Sequence, residues 1–480
     1  MRKLFYFFIS IIFVSCTGSP SNPVTPPNDP PKSSDKTITI FSLKAADNSG
    51  VLTSDVSGTI SNDSIYLLVP HGTVINNLKP SITIKGKSVS PANLAAQNFT
   101  NPVEYTVTAE DGSTKKYVVV VSVAAIDATL YIGGQDFNSI GHIYAIDANT
   151  GQTKWISAAS GIMFGSPTYA NGIVYYGDWE EYIYALDAST GVEKWRFKTD
   201  SLIYATPTVF NGIVYISSGD GYLYALNAIN GALVWKKQLS HDLRLGNYSN
   251  ATIVDNVLYI GSLDGIIYAL NPATGEIIWQ YEGKGTQIQS SPAVSNGVLY
   301  IRQEDLTANG ALIAINTSDG SLRWQNREGA GRSAPTVDNG TVYTTSNGFY
   351  AFDASTGLVK WEHLIGADIN ASPVVAFGLV YAGNRSGQGA NFFALDTQTG
   401  QTVWSHYSTG EYTNSATVFG NNVYAASFSQ LFCFDAKTGD VKWTYETPNI
   451  EYHREGFFAS ACIVDANGNI YQSGVSGDHQ

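Results

Sequence analysis

The sequence predicts an all-β protein: an eight-bladed β-propeller preceded by a small immunoglobulin-like β-sandwich. Three observations carry this expectation. An eleven-residue pattern ending in Trp occurs eight times at near-regular spacing. Val, Ile, Thr and Tyr recur in short runs divided by Asn-Gly, Asp-Gly and Thr-Gly. A separate block of alternating runs, without the Trp pattern, precedes the first copy. β-Branched and aromatic residues suit a pleated, half-buried surface, and the glycine dipeptides supply tight hairpins. With 480 residues, 44% of them hydrophobic, the chain exceeds one ordinary domain, so a repeat array or two domains is expected.

The chain opens with Arg2 and Lys3, an apolar run from Leu4 to Val14, and Ser15-Cys16. A charged start before an apolar run too short to cross a bilayer is the pattern of a secretory leader, assigned to residues 1–16. Val14-Ser15-Cys16 resembles the end of a bacterial lipobox, with Phe13 where Leu is usual. That resemblance implies that Cys16 is lipidated and becomes the mature N-terminus, holding the protein to a membrane through its lipid. Ordinary secretion with a nearby cleavage is the other reading. Residues 17–36 hold six of the 17 prolines and almost nothing apolar, so they read as an extended tether of roughly 60 Å at ~3 Å per residue. Thr17 stands where inner-membrane lipoproteins of the best-understood kind carry Asp, which points to the outer membrane, on its periplasmic face or at the cell surface.

Residues 37–123 contain alternating runs at Thr37 to Ala45, Ser64 to Val69, Ser81 to Lys85, Val103 to Thr108 and Tyr117 to Val123. Five short strands with turn signals between them suggest a β-sandwich. The stretch from Asn98 to Gly112 resembles small sandwich domains near the N-termini of envelope lipoproteins in some Gram-negative groups, which implies a spacing or docking role.

Residues 124–480 hold the repeat. Ala145 to Trp155 reads Ala-x-Asp-x-x-Thr-Gly-x-x-x-Trp, and the pattern recurs ending at Trp195, Trp235, Trp279, Trp324, Trp361, Trp404 and Trp443, at intervals of 40, 40, 44, 45, 37, 43 and 39. Its glycine is present in every copy, at Gly151, Gly191, Gly231, Gly275, Gly320, Gly357, Gly400 and Gly439. Asp-x-x-Thr-Gly between two apolar runs is a hairpin in which the Asp side chain closes the turn and Gly takes positive φ. Two further strands precede each hairpin, such as Thr206 to Phe210 and Val214 to Ser217. Four antiparallel strands per repeat make a propeller blade, whose stacking buries both sheet faces. The first hairpin lacks an inner strand, and one reappears at Ala459 to Ile463, so the ring should close by joining both chain ends in one blade. Leu130 to Gly133 and Asn469 to Ser473 both read as its second strand.

The repeat resembles that of the pyrroloquinoline-quinone (PQQ) type propellers over about 345 residues. In that family the motif Trp and Gly dock neighbouring blades, which implies a structural role for all sixteen residues named above. The family contains quinoprotein alcohol and sugar dehydrogenases, and non-catalytic lipoproteins such as the one in the outer-membrane barrel-assembly machinery.

The residues favour the second kind. A quinone dehydrogenase needs a cation held by Glu, Asn and Asp side chains, and a carboxylate base. Here no Cys-Cys pair and no Cys-x-x-Cys-His occurs, and most acids lie in the repeat hairpins. There is no Gly-x-Ser-x-Gly or His-Glu-x-x-His, and the seven histidines show no metal spacing. No catalytic residue, metal or cofactor is therefore expected. PQQ with calcium belongs only to the alternative reading, an oxidoreductase of alcohols or sugars. A net charge of −13 argues against nucleic acid as a partner. Cys433 and Cys462 read as small buried apolar residues, with a mutual bridge as the alternative.

The expected function is thus binding or scaffolding, of an outer-membrane or surface protein or of a glycan. Loops from each outer strand to the next blade, and from second to third strand, share one face; the Thr-Gly hairpins lie on the other. The hairpins are nearly uniform and the opposite loops vary, which makes Trp179, Arg244, Arg302, Arg332, Arg385, Tyr452 and Arg454 the binding-face candidates. Aromatic residues and Arg dominate binding hot spots. Trp179 is the one tryptophan outside the motif, and packing under its neighbours is its alternative role.

Overall fold

The computed structural model describes residues 31–472, apart from 71–72, 125–126, 136–139, 159–160, 242–248, 284–286, 304–309, 329–332, 367–368, 386–389, 413, 429, 448–455 and 458. Every regular element among them is a β-strand. The chain divides into two units, Met1–Ala125 and Ile126–Gln480.

The first unit is a two-sheet sandwich. Val56–Ser57, Thr37–Leu43 and Pro80–Lys85 form one sheet, while Thr59–Ser61, Ser64–Val69, Thr114–Val123, Val103–Thr108 and Ser88–Ser90 form the other in that spatial order. Ser64–Val69 alternates inward Ile65, Leu67 and Val69 with outward Tyr66 and Leu68, the period of two that a half-buried strand requires. Phe41 of the first sheet meets Tyr105 of the second edge-on at 5.2 Å. The two-residue and three-residue strands, absent from the sequence reading, are too short to show alternation. Ser64–Val69 and Thr114–Val123 pair in parallel, a feature that no local pattern encodes.

The second unit contains eight sheets. Seven are four-stranded and antiparallel, from Thr168–Ala170 through Val441–Glu446; the eighth runs Thr153–Ala158, Gly141–Asp147, Ala128–Gln135, Cys462–Asp465 and Ile470–Gln472, with the short Gly456–Phe457 also paired to Ala128–Gln135. We call this closing sheet blade 1 and number the others along the chain.

The third-to-outer hairpins share one backbone design, although in blade 5 Asn316 Oδ1 accepts from Arg323 Nε and not from the turn. Asp187 Oδ1 accepts from the backbone N–H groups of Ser189 and Thr190, and Gly191 N–H donates to the Asp187 carbonyl. Gly191 then has φ 72°, and the ladder is bulged between Ala185 and Leu186. The bulge turns the motif Trp onto the next blade, where its indole N–H donates to the carbonyl after that blade's Asp or Asn. Trp155 reaches Ala188, Trp195 reaches Ala228, and so on around to Trp443, which closes the ring on Ala148. The same eight interfaces seat each motif Gly on the preceding Trp: a Cβ on Gly191 would lie 2.6 Å from the Trp155 ring, and one on Gly151 would lie 2.9 Å from Trp443. Tyr hydroxyls share these carbonyls, as from Tyr175 to Ala228 and Tyr424 to Ala148. Burial pushes the Tyr175 and Tyr215 hydroxyls up to about 12, so both remain donors throughout the physiological range.

The inner strands lock together by a second repeated contact. Thr168, Thr208, Thr252, Thr336 and Thr417 each donate to a carbonyl of the next blade, at Pro207, Ala251, Pro292, Pro373 and Ala461. In blade 1 the second strand is Ala128–Gln135, and the inner strand is Cys462–Asp465. Ile470–Gln472 is neither of these but a fifth strand, paired to the axial edge of Cys462–Asp465. Cys433 and Cys462 are free and buried, not bridged, and burial pushes both thiols up to about 12.

Candidate binding surface

The face opposite the hairpins carries the variable loops. Trp179 follows the second strand of blade 2 at the turn that Asp178 closes, the Asp178 carboxylate accepting from Glu180 and Tyr182 N–H. The indole is half-buried. It stacks on Phe164 at 4.5 Å and 15°, and meets Tyr204 edge-on at 5.5 Å. Its N–H has no acceptor among the described residues. Trp179 is thus the middle of a three-ring cluster. Phe164 and Tyr204 were missed in the sequence, yet a signal exists: each lies four residues before the inner strand, which starts at Thr168 and at Thr208, on adjacent blades.

The loop face around this cluster is acidic. Glu180, Glu181, Asp200, Asp220 and Asp264 lie on loops of blades 2 to 4, with Lys198 on Glu181 at 3.2 Å and His241 on Asp264 at 3.4 Å. Arg385 is exposed on blade 7 and pairs with Glu411 at 3.0 Å. Arg302 has to be corrected. It is 1% exposed and lies within the second strand Val298–Gln303, where its Nη1 donates to Thr344 Oγ1 of blade 6. At the same register most blades have a small residue: Gly177 packs on Ile203, Gly261 on Ile288 and Gly383 on Tyr412. In blade 5 the long Arg side chain occupies that inter-blade space, so it is no surface contact. Arg244, Arg332, Tyr452, Arg454 and Cys16 lie outside the described residues.

At the axial mouth of this face, donors and acceptors are spent on neighbouring blades. Backbone N–H groups of Ser166, Thr206 and Asn250 donate to the side chains of Thr206, Asn250 and Ser291, and those of Ala334, Ser372 and Ser460 to Ser372, Ser415 and Ser166. Among the described residues no three His, Cys, Asp or Glu side chains are grouped so as to hold a metal ion. A ring of hydroxyls and amides already engaged in blade contacts does not fit the acid-and-amide cradle that a divalent cation under a quinone requires. The fifth strand of blade 1 also lies in the channel, with Gln472 Nε2 donating to the Pro167 carbonyl of blade 2.

Residues 139–287 and 263–460 match the family described as outer membrane protein assembly factor BamB, which is more than half of the chain. The chain belongs to the BamB family. Residues 47–121, in the sandwich, match the family described as SGBP, N-terminal. BamB of Moranella endobia (strain PCIT) is 37% identical over 112 residues, which is 19% of this chain and 28% of that relative. The chain therefore spans under a third of that relative's length. The crystal structure of BamB from Moraxella catarrhalis superimposes with a TM-score of 0.53 at 22% identity, covering 67% of this chain and 92% of that one. The quinohemoprotein alcohol dehydrogenase ADHIIG of Pseudomonas putida HK5 gives a TM-score of 0.53 at 16% identity, over 68% and 70%. At these identities both share the propeller fold with this BamB-family chain.

Proposed function

We propose that this BamB-family protein is a non-catalytic propeller of the cell envelope, tethered by a lipid on Cys16, that binds a protein of the outer membrane or cell surface through its loop face. Quinone, metal and nucleic acid take no part. The observation that carries the reading is the family match across the repeats. The contrast between the two faces supports it: eight hairpins of one design on one side, and on the other a partly exposed aromatic cluster within an acidic arc. Aromatic anchors ringed by charge suit protein recognition, and the arc favours a basic partner surface.

The test places a photo-crosslinking residue in the full chain at Trp179 or Arg385, and at Gln152, Glu193 or Lys437 on the hairpin face. Loop-face probes should capture one and the same envelope protein and hairpin-face probes none; the reverse pattern would overturn the assignment. In parallel, PQQ with calcium should leave the melting temperature of the purified protein unchanged. Stoichiometric stabilisation by the quinone would make the protein an oxidoreductase instead.

A further inference from the structure

On the hairpin face, at the junction of blades 1 and 2, lies a cavity of about 480 Å³. Its cause is ring closure. In the other seven blades a tight turn joins inner and second strands; in blade 1 the chain enters at Asp127 and the inner strand leaves at Ala466, so the two ends meet through the Ala466 N–H to Asp127 carbonyl bond and the Asp465–Ala128 pair without a connecting turn. The groove between blades stays open there.

What lines the cavity differs from the other grooves as well. Tyr169 takes a position that is Val or Ile in the seven other inner strands, and it stacks on Tyr131 at 6.3 Å and 11°. It is half-buried, and Trp155 lies beside it in the cavity wall. Lys154 Nζ donates to Thr129 Oγ1 at 2.8 Å and to Asp127 Oδ1 at 3.1 Å, which sets an ammonium and a carboxylate side by side. Asp187, on the opposite wall, is held well below the usual carboxylate range by Ser189 first and then Lys194, so it is ionised at neutral pH.

We propose that this cavity binds a single neutral sugar ring, independently of the loop-face reading. The volume falls within the ~300–1,000 Å³ of small-molecule sites, and its wall sets Tyr131, Trp155 and Tyr169 among six polar or charged residues, a mixed lining that suits a ligand with both hydroxyls and an apolar face. Charge narrows the class. Asp127, Asp187 and Asp465 disfavour an anion, while Lys154 on Asp127, Lys194 on Asp187 and the Asn467 and Asn469 amides on Asp465 leave no carboxylate unpartnered for an organic cation. A neutral polyol has neither penalty. Adjacent hydroxyls pair with the neighbouring Lys154 ammonium and Asp127 carboxylate, and the apolar face of the ring covers Tyr169.

Saturation-transfer NMR on the full chain with glucose, galactose, mannose, xylose, N-acetylglucosamine and N-acetylgalactosamine tests this. At least one sugar should receive saturation at its ring C–H protons. Tyr169→Val installs what the other blades carry, so the fold should hold while affinity drops at least tenfold. Trp179→Ala, on the loop face, should change affinity less than twofold. The proposal is overturned if none of the six sugars binds, if Tyr169→Val binds as well as the parent, or if Trp179→Ala is the variant that loses binding.

Discussion

At the scale of single residues, the motif glycines and the hairpin glycines look alike in sequence but face different constraints. Gly191 has φ 72° and lies against the Trp155 ring, whereas Gly212, in the Asn211-Gly212 turn, has φ 75° and open space around its would-be Cβ. Gly212→Ala should cost only the left-handed strain, about 1–2 kcal/mol. Gly191→Ala adds an overpacking term of about 1–3 kcal/mol, because the ring is fixed by its bond to Ala188. Denaturant unfolding of both variants checks this; equal losses would mean that the Trp155 ring moves aside freely. The difference explains why the Gly of Asp-x-x-Thr-Gly is invariant across the eight copies, while the inner turn tolerates Asp255-Asn256 in blade 4.

Among elements, the third and outer strands were fully legible because motif, turn and bulge recur in register. Legibility failed where the structure departs from the repeat. Ile470–Gln472 has the composition of a second strand, and only the ring geometry reveals it as a fifth. Its pairing to the free edge of Cys462–Asp465 depends on where the chain ends meet in the ring, which local sequence does not show. Arg302 was misread for a related reason: Arg in a variable segment normally signals surface, and its burial depends on how the neighbouring blade packs. The fifth strand is more than an ornament of the seam. Tyr471 packs edge-on against Phe419 of blade 8 at 4.9 Å, while Gln472 bonds to Pro167 of blade 2, so three residues bridge three blades. Replacing Tyr471 and Gln472 together by Ala removes a ring contact worth about 0.5–1.5 kcal/mol and a hydrogen bond of similar size. The double variant should unfold at lower denaturant by an amount corresponding to about 1–3 kcal/mol, with loop-face partner capture unchanged. An unaltered midpoint would show that the strand merely occupies the channel.

For the whole molecule, the question is how stability is shared between a ring and a sandwich with separate cores. Ile65, Leu67, Tyr105 and Val119 bury themselves wholly within the first unit; the propeller cores run from blade to blade, as Tyr175 and Ala185 of blade 2 pack with Val214 and Tyr224 of blade 3. In an open solenoid the terminal repeats each lack one neighbour and fray first. A closed ring has no terminal repeat: Trp443 docks on blade 1 just as Trp195 docks on blade 3, so losing any blade exposes two interfaces at once. The propeller should therefore unfold in one cooperative step despite its length, and the sandwich in another. Calorimetry of the full chain should resolve two transitions. A chain beginning at Ile126 should keep the propeller transition within about 2 °C, a shift that corresponds to about 1.5 kcal/mol for a unit of this size. A broad, multistep propeller transition, or a fragment that melts well below the parent, would mean that the ring is not the cooperative unit its eight matched interfaces imply.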